Sequence, residues 1–196
     1  MLAGGEAQLE RTWRAARVWI PGPVLQPPQP GTLTGRFDAL EARLDQLPAG
    51  TSVPVVIYVH DCVGLDREVD RWGERLAAQG YATIAPDSFA RGGRAPTCPP
   101  RDLDTVLTRE SEIRYAVAQA RATRWVRQRA VFVLGVGQGG TIVARGGVGR
   151  VTGAVILGGS GDPRRVSPAL VREHEGPPGE DDLAAVVDFL QRLTPR

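Results

Sequence analysis

Short apolar runs alternate with amphipathic stretches through most of the chain. Val53 to His60 is continuously apolar, the pattern of a strand buried on both faces. From Glu68 to Gln79, Val69, Trp72, Leu76 and Ala77 recur at helical spacing, and Gly80 follows as a C-terminal stop. Tyr81 to Pro86 predicts a second strand, Thr105 to Arg127 a long helix, Val131 to Leu134 a third strand and Gly153 to Leu157 a fourth. A last helix is expected from Asp181 to Leu193. Its apolar side is Leu183, Val186, Val187 and Leu190, and Asp181 and Asp182 lie at its positive end. Upstream, Phe37, Leu40, Leu44 and Leu47 define a short helix closed by Pro48-Ala49-Gly50.

Repeated strand-helix units predict an α/β fold, a mostly parallel sheet with helices on both faces in three layers. The sequence divides into an N-terminal arm over residues 1–35 and a single domain over 36–196. Ala7 to Trp19 has helical character, whereas Pro21, Pro23, Pro27, Pro28 and Pro30 argue against regular structure after it. In parallel sheets, ligands sit beyond the carboxyl ends of the strands, where strand order reverses. That directs attention to His60-Asp61-Cys62, Pro86-Asp87-Ser88 and residues 135–140.

Composition narrows the function classes. The 196 residues, 42% hydrophobic and 23% charged, suit one globular core. All 24 basic residues are arginine, yet the net charge is only +2 and no basic stripe with interleaved aromatics occurs, so no nucleic-acid partner is expected. No apolar run reaches the roughly 18 residues of a membrane span, and Met1 to Arg17 lacks an apolar signal-peptide centre. The chain as written is expected to be cytoplasmic, or periplasmic or secreted if a signal has been removed. Two cysteines and two histidines form no zinc pattern, so no metal or other cofactor is expected. Cys62 and Cys98 read either as reduced small hydrophobes or as a disulfide pinning the second loop to the first. Oligomeric state is not legible.

The most informative stretch is Gly135-Val136-Gly137-Gln138-Gly139-Gly140. It follows a strand and opens a helix, with small residues two before and two after a central position. That is the architecture of a nucleophile elbow, G-x-S-x-G, but its centre is Gly137. Glycine has no side chain with which to form a covalent acyl intermediate. The same glycines satisfy G-x-G-x-x-G, with Asp162 about 20 residues on, which is a dinucleotide-binding pattern. Against that alternative, Gly146-Gly147 and Gly149 leave a helix of only about two turns, and the motif comes late in the chain.

Val55 to Leu65, with its His60-Asp61-Cys62 turn and Gly64-Leu65, then Trp72 to Pro86 and Asp87-Ser88-Phe89 resemble in order and spacing the α/β-hydrolase fold, and within it the dienelactone hydrolase-like group. The match covers Pro54 to Gly159. The resemblance implies an oxyanion hole formed by the turn at Asp61 and Cys62 with the backbone N–H of Gln138, and a crevice for a small carbonyl compound. His60, ending a buried strand, is read as fixing the turn through a ring hydrogen bond.

Three departures set this chain apart from the group. Gly137 leaves the nucleophile position vacant. Only a short segment follows the fourth strand, where the group places two more strands carrying the acid and the histidine. The downstream histidine, His174, lies in a polar run with no strand foreseen to hold it, and Asp162 is the candidate acid. The expected protein is thus a curtailed α/β-hydrolase-fold pseudoenzyme. The rivals are an ester or lactone hydrolase using Cys62 as a displaced nucleophile with His174 as base, and the dinucleotide-binding protein. Ser88 and Ser160 lie at other strand ends with no evident base.

Overall fold

The computed structural model describes residues 2–92, 98, 103–173 and 178–195. Seven strands form one sheet in the order β2-β1-β4-β3-β5-β6-β7: β1 (Arg17–Pro21), β2 (Thr32–Arg36), β3 (Val53–Val59), β4 (Ala82–Ala85), β5 (Val126–Val136), β6 (Gly153–Leu157) and β7 (Ala169–Arg172). β4, β3, β5, β6 and β7 run parallel, and β1 pairs antiparallel with both β2 and β4. The helices are α1 (Leu2–Arg14), α2 (Phe37–Asp45), α3 (Arg67–Ala78), α4 (Leu103–Ala122), α5 (Gln138–Ala144) and α6 (Glu180–Leu193).

Strand side chains alternate between two cores. Val55, Ile57 and Val59 of β3 pack with Ile113 and Val117 of α4 and Ile142 and Val143 of α5. Val56 and Tyr58 pack on the other face with Trp72 and Leu76 of α3 and Val186 and Leu190 of α6. The result is a three-layer α/β-hydrolase-type fold, as the strand-helix alternation predicted. α3 starts where Asp66 accepts the N–H groups of Glu68 and Val69 at 3.0 and 3.2 Å, satisfying two donors its first turn leaves free.

The expected N-terminal arm is instead integral to the sheet. β1 lies between β2 and β4, and Trp19 is fully buried, fitting against α3 where Gly73 has no Cβ to obstruct the indole. The prolines lie mainly in the connection between β1 and β2, and Pro21 ends β1 beside the outermost strand, where a missing N–H is tolerated. The third predicted strand also begins earlier, at Val126. Its Arg127-Gln128-Arg129 segment interrupts the apolar run that the sequence pattern followed. After β6 the chain adds a strand that the sequence reading did not foresee, β7, which ends two residues before His174. His174 itself, and most of the Arg/Gly/Pro loop before α4, lie outside the described residues.

The chain goes from β3 outward to β4, then crosses back to β5 on the other side of β3. Strand order therefore reverses between β3 and β5. Their carboxyl ends deliver residues 60–62 and 137–138 to the same crevice. No helix among the described residues is long and apolar enough to cross a membrane.

Candidate functional site

β5 ends in a turn so tight that Gly137 takes φ +54° and ψ −117° before α5 begins. Residues with a Cβ adopt such a conformation only under strain. Neighbouring positions also exclude side chains, since a Cβ on Gly139 would run into the Val59 carbonyl. This strand-turn-helix is the elbow that the sequence pattern indicated, and Gly137 is its tip.

The space above that tip is filled from elsewhere. A Cβ built on Gly137 would lie 2.6 Å from both Cγ and Oδ1 of Asp61. Asp61 Oδ1 accepts the N–H of Gln138 at 2.7 Å. The carboxylate thus occupies the volume into which an elbow side chain would project, and it also engages the backbone donor expected to face a carbonyl oxygen. Of the residues expected at the oxyanion turn, Asp61 and Gln138 are joined by this bond. A carbonyl ligand gains the Gln138 donor only by displacing Asp61.

Behind the turn lies a buried polar network. His60, 1% exposed, donates from Nδ1 to the Asp61 carbonyl at 2.6 Å, and its Nε2 accepts the Ser88 N–H at 3.4 Å. These partners assign the neutral Nδ1–H tautomer. Burial, reinforced by the Arg109 guanidinium, pushes the His60 pKa down to about 3. Arg109 from α4, itself 2% exposed, donates to the His60 carbonyl and to Gln138 Oε1. It thereby clamps the two turns that form the crevice floor. Sequence reasoning missed Arg109, because one arginine in a chain with 24 gives no signal of burial.

Of the other foreseen residues, Cys62 and Ser160 line the crevice beside Gly137, and none supplies a nucleophile and base together. Cys62 is bonded to Cys98, with Cα atoms 5.2 Å apart, so its sulfur is no thiolate nucleophile and the displaced-dyad reading is corrected. The bond links positions 36 apart in sequence and encloses α3 and β4 between them. Replacing both cysteines by alanine is expected to cost about 4 kcal/mol in urea unfolding, through greater freedom of the unfolded chain. Asp162 accepts from the backbone and side chain of Arg164, at 3.1 and 2.9 Å, and caps a short turn at 163–165. Those bonds with Arg164 hold its carboxyl below the usual range. Ser88 is buried beside His60, while Ser160 donates its N–H to Thr141 Oγ1 at 2.9 Å.

Two concavities meet at Asp61, Gly137 and Gly159. One, of about 310 Å³, is lined by Tyr58, Asp66, Glu68, Val69 and Val136. The other, of about 350 Å³, has a mainly apolar wall that includes Val106, Thr141 and Ile142. For a dinucleotide, the Asp61 carboxylate on the Gln138 N–H would oppose a pyrophosphate at the glycine turn by like charge. No group of three ligating side chains able to hold a metal occurs among the described residues.

The dienelactone hydrolase family model matches residues 40–171. No curated protein matches the chain. Among solved structures, esterase PE8 superposes with a TM-score of 0.53 at 12% identity, over 74% of this chain and 95% of that one. The dienelactone hydrolase-like promiscuous phosphotriesterase P91, from metagenomic libraries, gives 0.48 at 20% identity over 73% and 66%. The structure named m3DLH gives 0.46 at 21% over 73% and 67%. The chain therefore spans about two thirds of the length of the last two.

Proposed function

The chain belongs to the dienelactone hydrolase family, and on that premise we propose that it is a member without acyl transfer at the elbow, serving as a small-molecule-binding protein through the crevice beside Gly137. One observation carries this reading. The Asp61 carboxylate fills the nucleophile's space and accepts the Gln138 N–H.

Both halves of the family's covalent chemistry are affected. With Gly137 at the tip there is no hydroxyl or thiol to attack a carbonyl carbon. An oxyanion directed at Gln138 N–H would meet a carboxylate already there. Two unit charges about 3 Å apart repel by about 5 kcal/mol at an effective dielectric of ~20. Loss of a single oxyanion donor alone removes about 3 kcal/mol of transition-state stabilisation. The fold and crevice persist because neither depends on the missing side chain.

Purified protein is expected to show no burst with p-nitrophenyl acetate and, by mass spectrometry, no covalent adduct with a fluorophosphonate. A stoichiometric burst, or a phosphonyl group attached to any residue of the crevice, would sink the reading. The Cys62–Cys98 bond supports an oxidising compartment over the cytoplasm expected from the sequence.

A further inference from the structure

We propose that the crevice is a binding site for a small organic ammonium ion, with Asp61, Asp66, Glu68 and Tyr58 as its polar wall. This rests on the reading of the protein as a binding member of its family, and it names the ligand class.

Each of the three carboxylates is anchored through one oxygen. Asp61 Oδ1 takes the Gln138 N–H, Asp66 Oδ1 takes the first N–H groups of α3, and Glu68 Oε1 takes Arg71 and Trp72 Nε1 at 2.6 and 2.9 Å. The second oxygens, Asp61 Oδ2, Asp66 Oδ2 and Glu68 Oε2, make no hydrogen bond among the described residues. Arg71 offsets part of this charge, but its Nη2 is already shared between Glu68 and the Pro178 carbonyl at 2.8 Å.

Tyr58 supplies an independent sign of a ligand. It is 1% exposed and lines the cavity, yet its hydroxyl has no hydrogen-bond partner among the described residues. The side chain is held in place by burial while the cavity beside it leaves its hydroxyl free to pair with a ligand. Burial and then Glu68, Asp66 and Asp61 raise its pKa well above the usual phenol value, so it stays a neutral hydroxyl. Its oxygen can accept an N–H.

The rest of the wall discriminates among cations. Val69 and Val136 give an apolar surface within about 310 Å³, enough for a short aliphatic body behind an ammonium head. A bare metal ion would leave that surface unused and finds no three-ligand cluster among the described residues. A carboxylate or phosphate ligand would face like charge.

The test uses n-butylammonium chloride, with n-butanol and sodium butyrate as neutral and anionic counterparts, titrated into the full chain by calorimetry. Saturable binding of butylammonium alone, weakened by added salt, is expected. Asp61→Asn keeps the acceptor for Gln138 and should weaken it at least about tenfold, while Tyr58→Phe should weaken it about fivefold. Circular dichroism checks folding, and if Asp61→Asn does not fold, Tyr58→Phe decides alone. Butyrate or butanol binding as tightly, affinity unchanged in the folded variants, or no saturable binding would overturn the proposal. Failure here leaves the ester assays above untouched, whereas a burst in those assays overturns the binding-protein reading itself.

Discussion

Gly137→Ser is expected to lower stability by about 4 kcal/mol and to yield no esterase. Part of the loss is conformational, since φ +54° strains any residue with a Cβ by about 1–3 kcal/mol. The rest is steric. The new Cβ would lie 2.6 Å from the Asp61 carboxylate, and overpacking of this kind costs about 1–3 kcal/mol. The serine can fit only if Asp61 leaves the Gln138 N–H, which exchanges a charge-assisted hydrogen bond for a hydroxyl with no described base beside it. Urea unfolding of the single variant and of Gly137→Ser with Asp61→Gly separates the two contributions. The double variant should recover the steric share and not the conformational one. An unchanged midpoint would show that the turn is not as tight as described. Ester turnover by the single variant would mean that a base and an acid are already placed for a triad.

Acid is expected to destabilise the protein by about 3 kcal/mol at pH 4 and by about 4–5 kcal/mol at pH 3 through His60 alone. The unfolded chain takes up a proton at this imidazole as pH falls past its ordinary value of 6.5, while the folded protein resists until about 3. The stabilisation is therefore complete above pH 6.5 and is lost progressively below it, at about 1.4 kcal/mol per unit. Burial is the main cause, and the Arg109 cation against the same ring adds to it. Unfolding free energies at pH 7 and pH 4 should differ more for the native protein than for His60→Gln, which cannot take up this proton. Equal differences in the two proteins, or a proton uptake at His60 near pH 6.5 seen by NMR, would refute this account.

The parts of the fold legible in the sequence were those whose own residues carry the signal. β3 is apolar throughout because both faces are covered, and α3 shows a clear stripe because one side meets the sheet. β1 and β2 escaped notice because Pro21 and the prolines between the two strands spoil the local pattern, although pairing of β1 with β4 and of β2 with β1 decides the outcome. β7 is four half-exposed or exposed residues whose strand character depends on β6 beside it. At the site, the vacancy at Gly137 could be read directly from the residue type. What fills the vacancy could not, since Asp61 is 76 positions upstream and only the β3–β5 register brings its carboxylate there. Arg109 was hidden for the same reason: its role comes from the packing of α4 across the two turns.

The placement of β1 bears on how the protein can be divided. The span matching the family begins at residue 40, but β4 borders β1, and the fully buried indole of Trp19 comes from before that point. A fragment trimmed to the matching span would present a bare strand margin next to an empty apolar socket, an invitation to aggregation with other molecules. Its smallest self-sufficient unit therefore begins upstream of Trp19.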